Sequence, residues 1–285
     1  MKTNRRRVIA QPTPALAARQ PCSRANSTRS TFAHGLCGAA RRAAGIVTKL
    51  TLLWLFALPL FAHAVVQAPS PVASLFTVTS PTATATLPNV TVPGGYPARL
   101  LVVTASNTFY GNVAAVSFGT TAMTKAVQIS DGFGSDSIWV LPLGSGDAVT
   151  ASIRATYSSL GSSGVTAHAY VSAVMFFGVD QAVPTSSPVI AATQTGASTL
   201  TVASAVGDLV YDVADFYSTL TAGPAVYMGP GQTQVAAQLG TVQFGTTAYR
   251  NSSEPGAASV TMSWSGNANA VAHAAINIRQ APRQT

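Results

Sequence analysis

Residues 258–264 read Ala-Ser-Val-Thr-Met-Ser-Trp, and apolar or alanine side chains alternate with small polar ones along this stretch. Residues 147–157 (DAVTASIRATY) have the same period of two, with Val149, Ile153 and Tyr157 on one face. This is the period of a β-strand that places one face on a core and the other in water. Both stretches therefore predict strands of a half-buried sheet.

Further apolar runs and frequent turn residues extend this prediction to the rest of the chain. Residues 100–103 and 169–177 are largely apolar at successive positions, which is typical of central strands covered on both faces. Glycine and proline separate the runs, as at 93–95 and 229–231. The chain after residue 64 contains one lysine and one glutamate, which disfavours surface helices. The predicted fold is all-β, an antiparallel β-sandwich of jelly-roll type.

Similar patterns recur about 100 to 110 residues apart, which indicates two halves built on one strand order. The matched pairs are Leu100 with Leu209, Val149 with Val260, and Ala173 with Ala274. Each half alone would leave an apolar sheet face uncovered, so we expect one domain with two pseudo-symmetric halves. Two independent domains of about 100 residues each are the alternative that the length leaves open.

The sequence also predicts an export signal. The uncharged apolar run 50–61 (LTLLWLFALPLF) follows basic residues and precedes Ala62-His63-Ala64, the arrangement of a secretory signal peptide. The run is shorter than the ~20 residues that span a bilayer. We therefore expect cleavage near Ala64, secretion to the periplasm or the exterior, and no membrane span afterwards. The predicted segments are a basic leader with signal peptide (1–64), a linker or first strand (65–82), a β-sandwich domain (83–279) and a C-terminal tail (280–285).

Charge and cysteine content narrow the function classes. The whole chain has a formal charge of +8, but ten of its sixteen basic residues precede residue 50. After cleavage near Ala64, six basic and eight acidic residues remain, a formal charge of −2, so no nucleic-acid partner is expected. Both cysteines, Cys22 and Cys37, belong to the leader. Thiolate catalysis, cysteine-ligated zinc and disulfides are thereby excluded from the remaining chain.

Several motifs occur in a fixed order that resembles an uncharacterised jelly-roll domain of secreted and cell-surface bacterial proteins. They are 99–103 (RLLVV), 118–125 (FGTTAMTK), 177–181 (FGVDQ), 230–234 (PGQTQ) and 253–264 (SEPGAASVTMSW). The resemblance covers roughly residues 83–279. It implies a β-sandwich used as a building block of larger extracellular proteins, and it brings no catalytic residues. This chain differs in carrying a single copy with no evident partner domain.

Few residues offer catalytic chemistry. The two histidines after the leader, His168 and His273, are expected to be structural or surface residues, and His273 is expected to face solvent. No G-x-S-x-G motif marks a serine hydrolase. A carbohydrate-active enzyme would need two carboxylates close together. The candidates are Asp131, Asp136, Asp208, Asp212, Asp215 and Glu254. Asp208 and Asp212 lie too far apart along a strand for a tight pair, and Glu254 lies in a predicted turn at 251–256. We expect no catalytic residue.

Two sets of residues are candidates for binding. Residues 131–136 (DGFGSD) loosely resemble a calcium loop through Asp131 and Asp136, although Asp and Gly equally suit a tight turn. No other cofactor is expected. Four aromatic residues in loop-like stretches are candidate contacts for a glycan or a protein partner. They are Phe109, Tyr110, Phe133 and Tyr217; Trp139 and Trp264 are instead expected to fill the core.

The sequence thus predicts a secreted, non-catalytic β-sandwich module with a surface, matrix or adhesion role. Two alternatives stay open. One is a carbohydrate-active hydrolase or lyase that uses Asp131, Asp136 or Glu254. The other is a self-assembling extracellular fibre subunit, because exposed edge strands rich in Thr and Val pair readily with other strands.

Overall fold

The computed structural model describes residues 66–67, 72–78, 84–108, 111–130, 132, 134–158, 167–220, 223–242 and 245–282. All regular structure within these ranges is β-strand. No helix in them has the length and hydropathy needed to cross a membrane. The predicted leader and signal peptide (1–64) lie outside the described residues. The compact unit that contains all the strands comprises Pro59–Thr285.

The strands fall into two consecutive groups. The first group is β1 (Val66–Gln67), β2 (Val72–Val78), β3 (Thr84–Val92), β4 (Arg99–Thr108), β5 (Val113–Phe118), β6 (Thr121–Ala122), β7 (Thr124–Ser130), β8 (Gly134–Gly144), β9 (Val149–Tyr157) and β10 (Ala167–Phe177). The second group is β11 (Thr185–Thr193), β12 (Ala197–Ala203), β13 (Leu209–Ser218), β14 (Val226–Met228), β15 (Thr233–Val242), β16 (Gly245–Pro255), β17 (Ser259–Gly266) and β18 (Ala270–Ile278). The alternating stretches at 147–157 and 258–264 correspond to β9 and β17, as predicted.

Each group forms a sandwich of two antiparallel sheets with the same strand order. Inner sheet 1 has the order β1-β10-β4-β8-β7, with β2 also on β10, and outer sheet 1 has the order β3-β9-β5-β6. Inner sheet 2 has the order β11-β18-β13-β16-β15, and outer sheet 2 has the order β12-β17-β14. In each half the first strand lies beside the last, as in a jelly roll. The predicted β-sandwich with two pseudo-symmetric halves is confirmed.

The strand register and the face of each side chain define the equivalent positions of the two halves. Leu100 pairs with Phe176, and Leu209 pairs with Ile278. All four belong to the apolar cluster between the inner sheets, which confirms the match of Leu100 with Leu209. Phe176 is therefore equivalent to Ile278. The predicted match of Ala173 with Ala274 sets Phe177, not Phe176, against Ile278, and so it is wrong by one residue. A shift of one residue matters because it turns every side chain to the other face of the sheet.

The four sheets stack as layers, with the two inner sheets facing each other. Leu101 and Ile153 belong to the apolar cluster between outer sheet 1 and inner sheet 1. Leu100 and Ile276 belong to the cluster between the inner sheets, and Met262 to one between inner sheet 2 and outer sheet 2. Strands β4 and β10 are therefore covered on both faces, as the apolar runs at 100–103 and 169–177 predict.

The contact between the halves is itself pseudo-symmetric. Strand β7 of the first half packs on β11 and β18, and its equivalent β15 packs on β2 and β10. The same surface of each half thus meets its counterpart, which is the arrangement of an isologous dimer within one chain. Each half covers the sheet face that the other would otherwise expose, and this accounts for a single compact unit.

A buried polar network joins the inner sheets at one end of this contact. The Tyr170 hydroxyl donates to Oδ1 of Asn251 over 2.9 Å, and Nδ2 of Asn251 donates to Oγ1 of Thr104 over 2.8 Å. Oγ1 of Thr104 is also hydrogen-bonded to the Tyr211 hydroxyl, 3.1 Å away. The rings of Tyr170 and Tyr249 stack with centroids 4.9 Å apart. Burial raises the pKa of Tyr170 to about 12, so its phenol stays a donor over the physiological pH range.

Replacing Asn251 with alanine is expected to lower the free energy of unfolding by about 1–3 kcal/mol, because the Tyr170 hydroxyl loses its acceptor away from water. Urea denaturation followed by far-UV circular dichroism measures this change. The exposed Asn112 serves as the control, since its replacement with alanine removes an amide from the surface. Equal effects of N251A and N112A would contradict the role of the network.

Candidate functional site

A second buried polar group lies between inner sheet 2 and outer sheet 2, and we call it the Asp212 cluster. Its members come from five strands and from the turn that precedes β15. They are Ser198 on β12, Asp212 on β13, Ser252 on β16, Trp264 on β17, His273 on β18, and Gln232. Each of these residues is less than a tenth exposed. The cluster brings together a serine, a histidine and a carboxylate, which are side chain types with chemical reactivity.

Both oxygens of the Asp212 carboxylate accept hydrogen bonds from the surrounding residues. Oδ1 accepts from the backbone N–H and the hydroxyl of Ser252, over 2.8 and 2.7 Å. Oδ2 accepts from Nε1 of Trp264 over 2.7 Å, and it lies 3.0 Å from Nε2 of His273 and 3.4 Å from Nε2 of Gln232. Removing a carboxylate from water is unfavourable unless hydrogen-bond donors replace the water. The five donors around Asp212 do this.

The bonds of His273 define its tautomer. Because an ionised Oδ2 can only accept, Nε2 carries the proton, and Nδ1 then accepts from Oγ of Ser198 over 3.0 Å. Serine, histidine and aspartate thus form a chain like that of the serine hydrolases. Ser198 is only 4% exposed, however, and His273 and Asp212 are fully buried. A substrate has no access to this serine in the closed sandwich.

The first half has no equivalent of this cluster. Matching Leu100 with Leu209 places Val103 at the position of Asp212, and matching Phe176 with Ile278 places Val171 at that of His273. Both valines belong to the apolar core of the first sandwich. Within the described residues, the polar cluster is therefore a feature of the second half alone.

Gln232 has a tightly defined side chain within the cluster. Its Oε1 accepts from the backbone N–H of Ser263 over 2.8 Å, and its Nε2 donates to Oγ of Ser252 over 2.7 Å. Gly229 leaves room for this amide, since a Cβ there would come within 2.7 Å of Oε1. The amide group is thus held between one backbone donor and the Ser252 hydroxyl.

Glu254 lies at the rim of the cluster. Strand β16 continues to Pro255, so the predicted turn at Glu254 is wrong, and Glu254 shares a face of β16 with Ser252. Its Oε2 is buried without a hydrogen-bond partner. Burial, and secondly the charge of Asp212, raise the pKa of the Glu254 carboxyl. These surroundings therefore make ionisation of the Glu254 carboxyl less favourable than it is in water.

The structure describes two of the six predicted binding residues, and both differ from expectation. Asp136 lies in strand β8 and is fully buried, and Tyr217 lies in strand β13 and is 7% exposed. Their predicted placement in loops is wrong, because β8 and β13 include these positions. Phe109, Tyr110, Asp131 and Phe133 lie outside the described residues.

The histidine and tryptophan predictions have opposite outcomes. Trp139 and Trp264 are 5% and 3% exposed, so their predicted place in the core is confirmed. The prediction that His273 faces solvent is wrong, because outer sheet 2 covers that face of β18. His168 is also buried, at 8% exposure.

The carboxylates proposed for glycoside hydrolysis do not converge. Asp136 shares a face of β8 with Ile138, which contributes to the cluster between the inner sheets. Glu254 lies on the other side of inner sheet 2, on the face toward outer sheet 2. The described ranges contain no group of three or more His, Cys, Asp or Glu residues placed to bind a metal ion. The calcium hypothesis stays a prediction, since Asp131 is not described.

Sequence reasoning considered Asp212, His273 and Trp264 separately but did not bring them together, although one signal pointed to the cluster. Asp212 interrupts an otherwise apolar run at 209–213, and His273 interrupts another at 270–276. A charged residue inside a strand covered on both faces must have a buried partner. That rule pairs Asp212 with His273, but it does not identify Ser198, Ser252 or Gln232.

Comparison with other proteins adds no family to this description. Neither the protein-family models nor the curated proteins include one that matches the chain. The resemblance to a recurring domain of secreted bacterial proteins therefore stays a prediction that rests on the motifs quoted above. The fold itself is established by the strand order of the four sheets.

The raised pKa of Glu254 predicts a pH-dependent effect of Glu254→Gln. A carboxyl whose pKa is higher in the folded state than in the unfolded chain is harder to ionise in the folded state. The free energy of unfolding therefore falls as the pH rises past the pKa that this carboxyl has in the unfolded chain. The variant should therefore be more stable than the wild type near pH 7. The difference should disappear near pH 3, where both states are protonated. Thermal unfolding at the two pH values measures it, and a less stable variant at neutral pH would contradict the assignment.

Proposed function

We propose that the protein is an exported, non-catalytic β-sandwich module that binds a glycan or a protein partner at one end of its double sandwich. The enclosure of the Asp212 cluster is the observation that carries the non-catalytic part of this proposal. Its serine, histidine and carboxylate are bonded to one another between two sheets. Their chemistry is consequently directed at the interior of the protein. Export rests on the signal at 50–64.

The proposed binding end follows from the strand ends. Thr108, the last residue of β4, pairs with Gly134, the first residue of β8. The hydroxyl of Thr108 lies 2.6 Å from that of Tyr249 on β16, so the corresponding ends of the two halves are adjacent. Phe109, Tyr110 and Phe133 directly follow or precede these strand ends in the sequence. Segments at the end of a rigid sheet scaffold are a common place for binding residues.

Glycan-array binding followed by isothermal titration calorimetry tests this proposal. Replacing Phe109, Tyr110 and Phe133 together with alanine should weaken binding at least tenfold, because aromatic faces supply much of the contact energy in such sites. Tyr227→Ala is the control, since Tyr227 is 66% exposed on outer sheet 2. It should leave the affinity unchanged.

Three outcomes would contradict the proposal. Unchanged binding by the triple variant would remove the proposed binding end. Turnover of a polysaccharide that is lost in Glu254→Gln would support a carbohydrate-active enzyme instead. Concentration-dependent assembly of the purified protein into polymers, measured by size-exclusion chromatography, would support a fibre subunit.

A further inference from the structure

Three groups of the Asp212 cluster have the arrangement needed for an acyl transfer within the protein. The Ser252 hydroxyl donates to Oδ1 of Asp212 over 2.7 Å. Asp212 is therefore placed to act as the general base for this hydroxyl, which would be the nucleophile. The amide of Gln232 lies against the same hydroxyl, with Nε2 at 2.7 Å. The backbone N–H of Ser263 donates to Oε1 of Gln232 over 2.8 Å, where negative charge would develop.

We propose that Ser252 and Gln232 become joined by an intramolecular ester bond, formed with the release of ammonia. The amide plane of Gln232 tilts so that Cδ faces Oγ of Ser252. The Oγ–H bond breaks, the Oγ–Cδ bond forms, and Asp212 receives the proton. The Cδ–Nε2 bond then breaks, and Oδ1, which received the Ser252 proton, returns it to the departing nitrogen, which leaves as ammonia. Before the reaction Nε2 already lies 3.4 Å from Oδ2 of the same carboxyl. No oxidant, cofactor or second substrate is consumed.

Other residues of the cluster position the base. Asp212 is held by Trp264 over 2.7 Å and by His273 over 3.0 Å, and His273 is held in turn by Ser198. These residues orient the carboxylate toward Ser252 and are positioning residues. The Nε2–H of His273 donates to Oδ2 of Asp212 and so helps to hold the carboxylate in place. In this proposal the hydrogen-bonded chain of Ser198, His273 and Asp212 orients the base, although Ser198 itself is not accessible to a substrate.

The position of the ester would protect it from hydrolysis and would let it join two neighbouring segments of inner sheet 2. Ser252 is fully buried and Gln232 is 8% exposed, so water has little access to an ester between them. Gln232 directly precedes β15, the edge strand of inner sheet 2, and Ser252 lies on the neighbouring β16. The ester would fasten an edge strand to its sheet. The chain after residue 64 contains no cysteine, so a disulfide cannot do this.

Peptide mapping of the exported protein from its native expression tests the proposal. Trypsin cleaves after Arg154, Arg250 and Arg279, with no other Lys or Arg between them, so Gln232 and Ser252 fall in separate peptides, 155–250 and 251–279. The ester is expected to keep these two peptides joined. The joined product should have a mass about 17 Da below the sum of the two separate peptide masses, because one ammonia is lost. Hydroxylamine, which cleaves esters, should separate them.

Matched variants distinguish the ester from other losses of ammonia. Ser252→Ala should give two separate peptides, whereas Ser252→Thr, which keeps a hydroxyl, and Gln234→Asn, on the exposed side of β15, should keep them joined. Two separate peptides from the wild type overturn the proposal, including a case in which one has lost ammonia by itself. The wild-type map decides even if S252A does not fold. Glycan binding is measured separately, so either proposal can fail while the other stands.

Discussion

The face-to-face packing of the two inner sheets is the constraint on which the rest of the structure depends. Each jelly roll alone has an inner sheet with a second apolar face, formed by residues such as Leu100 and Phe176 in the first half and Ile276 in the second. Exposing such a face to water is unfavourable in proportion to its area. The second sandwich removes it, and this fixes a four-layer molecule instead of two separate domains.

The two polar clusters have different relations to this packing. The network around Asn251 joins the halves and belongs to the contact that makes them one unit. The Asp212 cluster lies within the second half, where the equivalent positions of the first half are the valines Val103 and Val171. The first half fills this place with apolar side chains. In the second half the Asp212 carboxylate, with its five donors, lies beside Ser252 and Gln232, the two residues of the proposed ester bond.

The fold was largely predictable from the sequence because its main signal is local. Alternation at 258–264 and 147–157 identified strands, and the apolar runs at 100–103 and 169–177 correctly indicated cover on both faces. The error over His273 arose from the same rule. Period two indicates that one face of β18 is more polar, but it cannot say whether that face meets water or a further sheet.

The site was less predictable because its contacts are distant in the sequence. Asp212 and His273 are separated by 61 residues and meet only when β13 and β18 become neighbours in a sheet that is covered on both faces. The predicted loops at Asp136 and Tyr217 are wrong because the small residues beside them, such as Gly134 and Ser218, belong to strands. The strand order, which no local pattern contains, decides these positions.

Unfolding of the two halves, followed separately, tests the shared inner contact most directly. After the leader the chain has one tryptophan in each half, Trp139 and Trp264, so Trp139→Phe leaves a fluorophore that reports the second half. Far-UV circular dichroism reports both halves. Coincident urea transitions of fluorescence and circular dichroism are expected, because neither half retains its cover without the other. Two transitions with separate midpoints would show that the halves fold independently and would contradict the account.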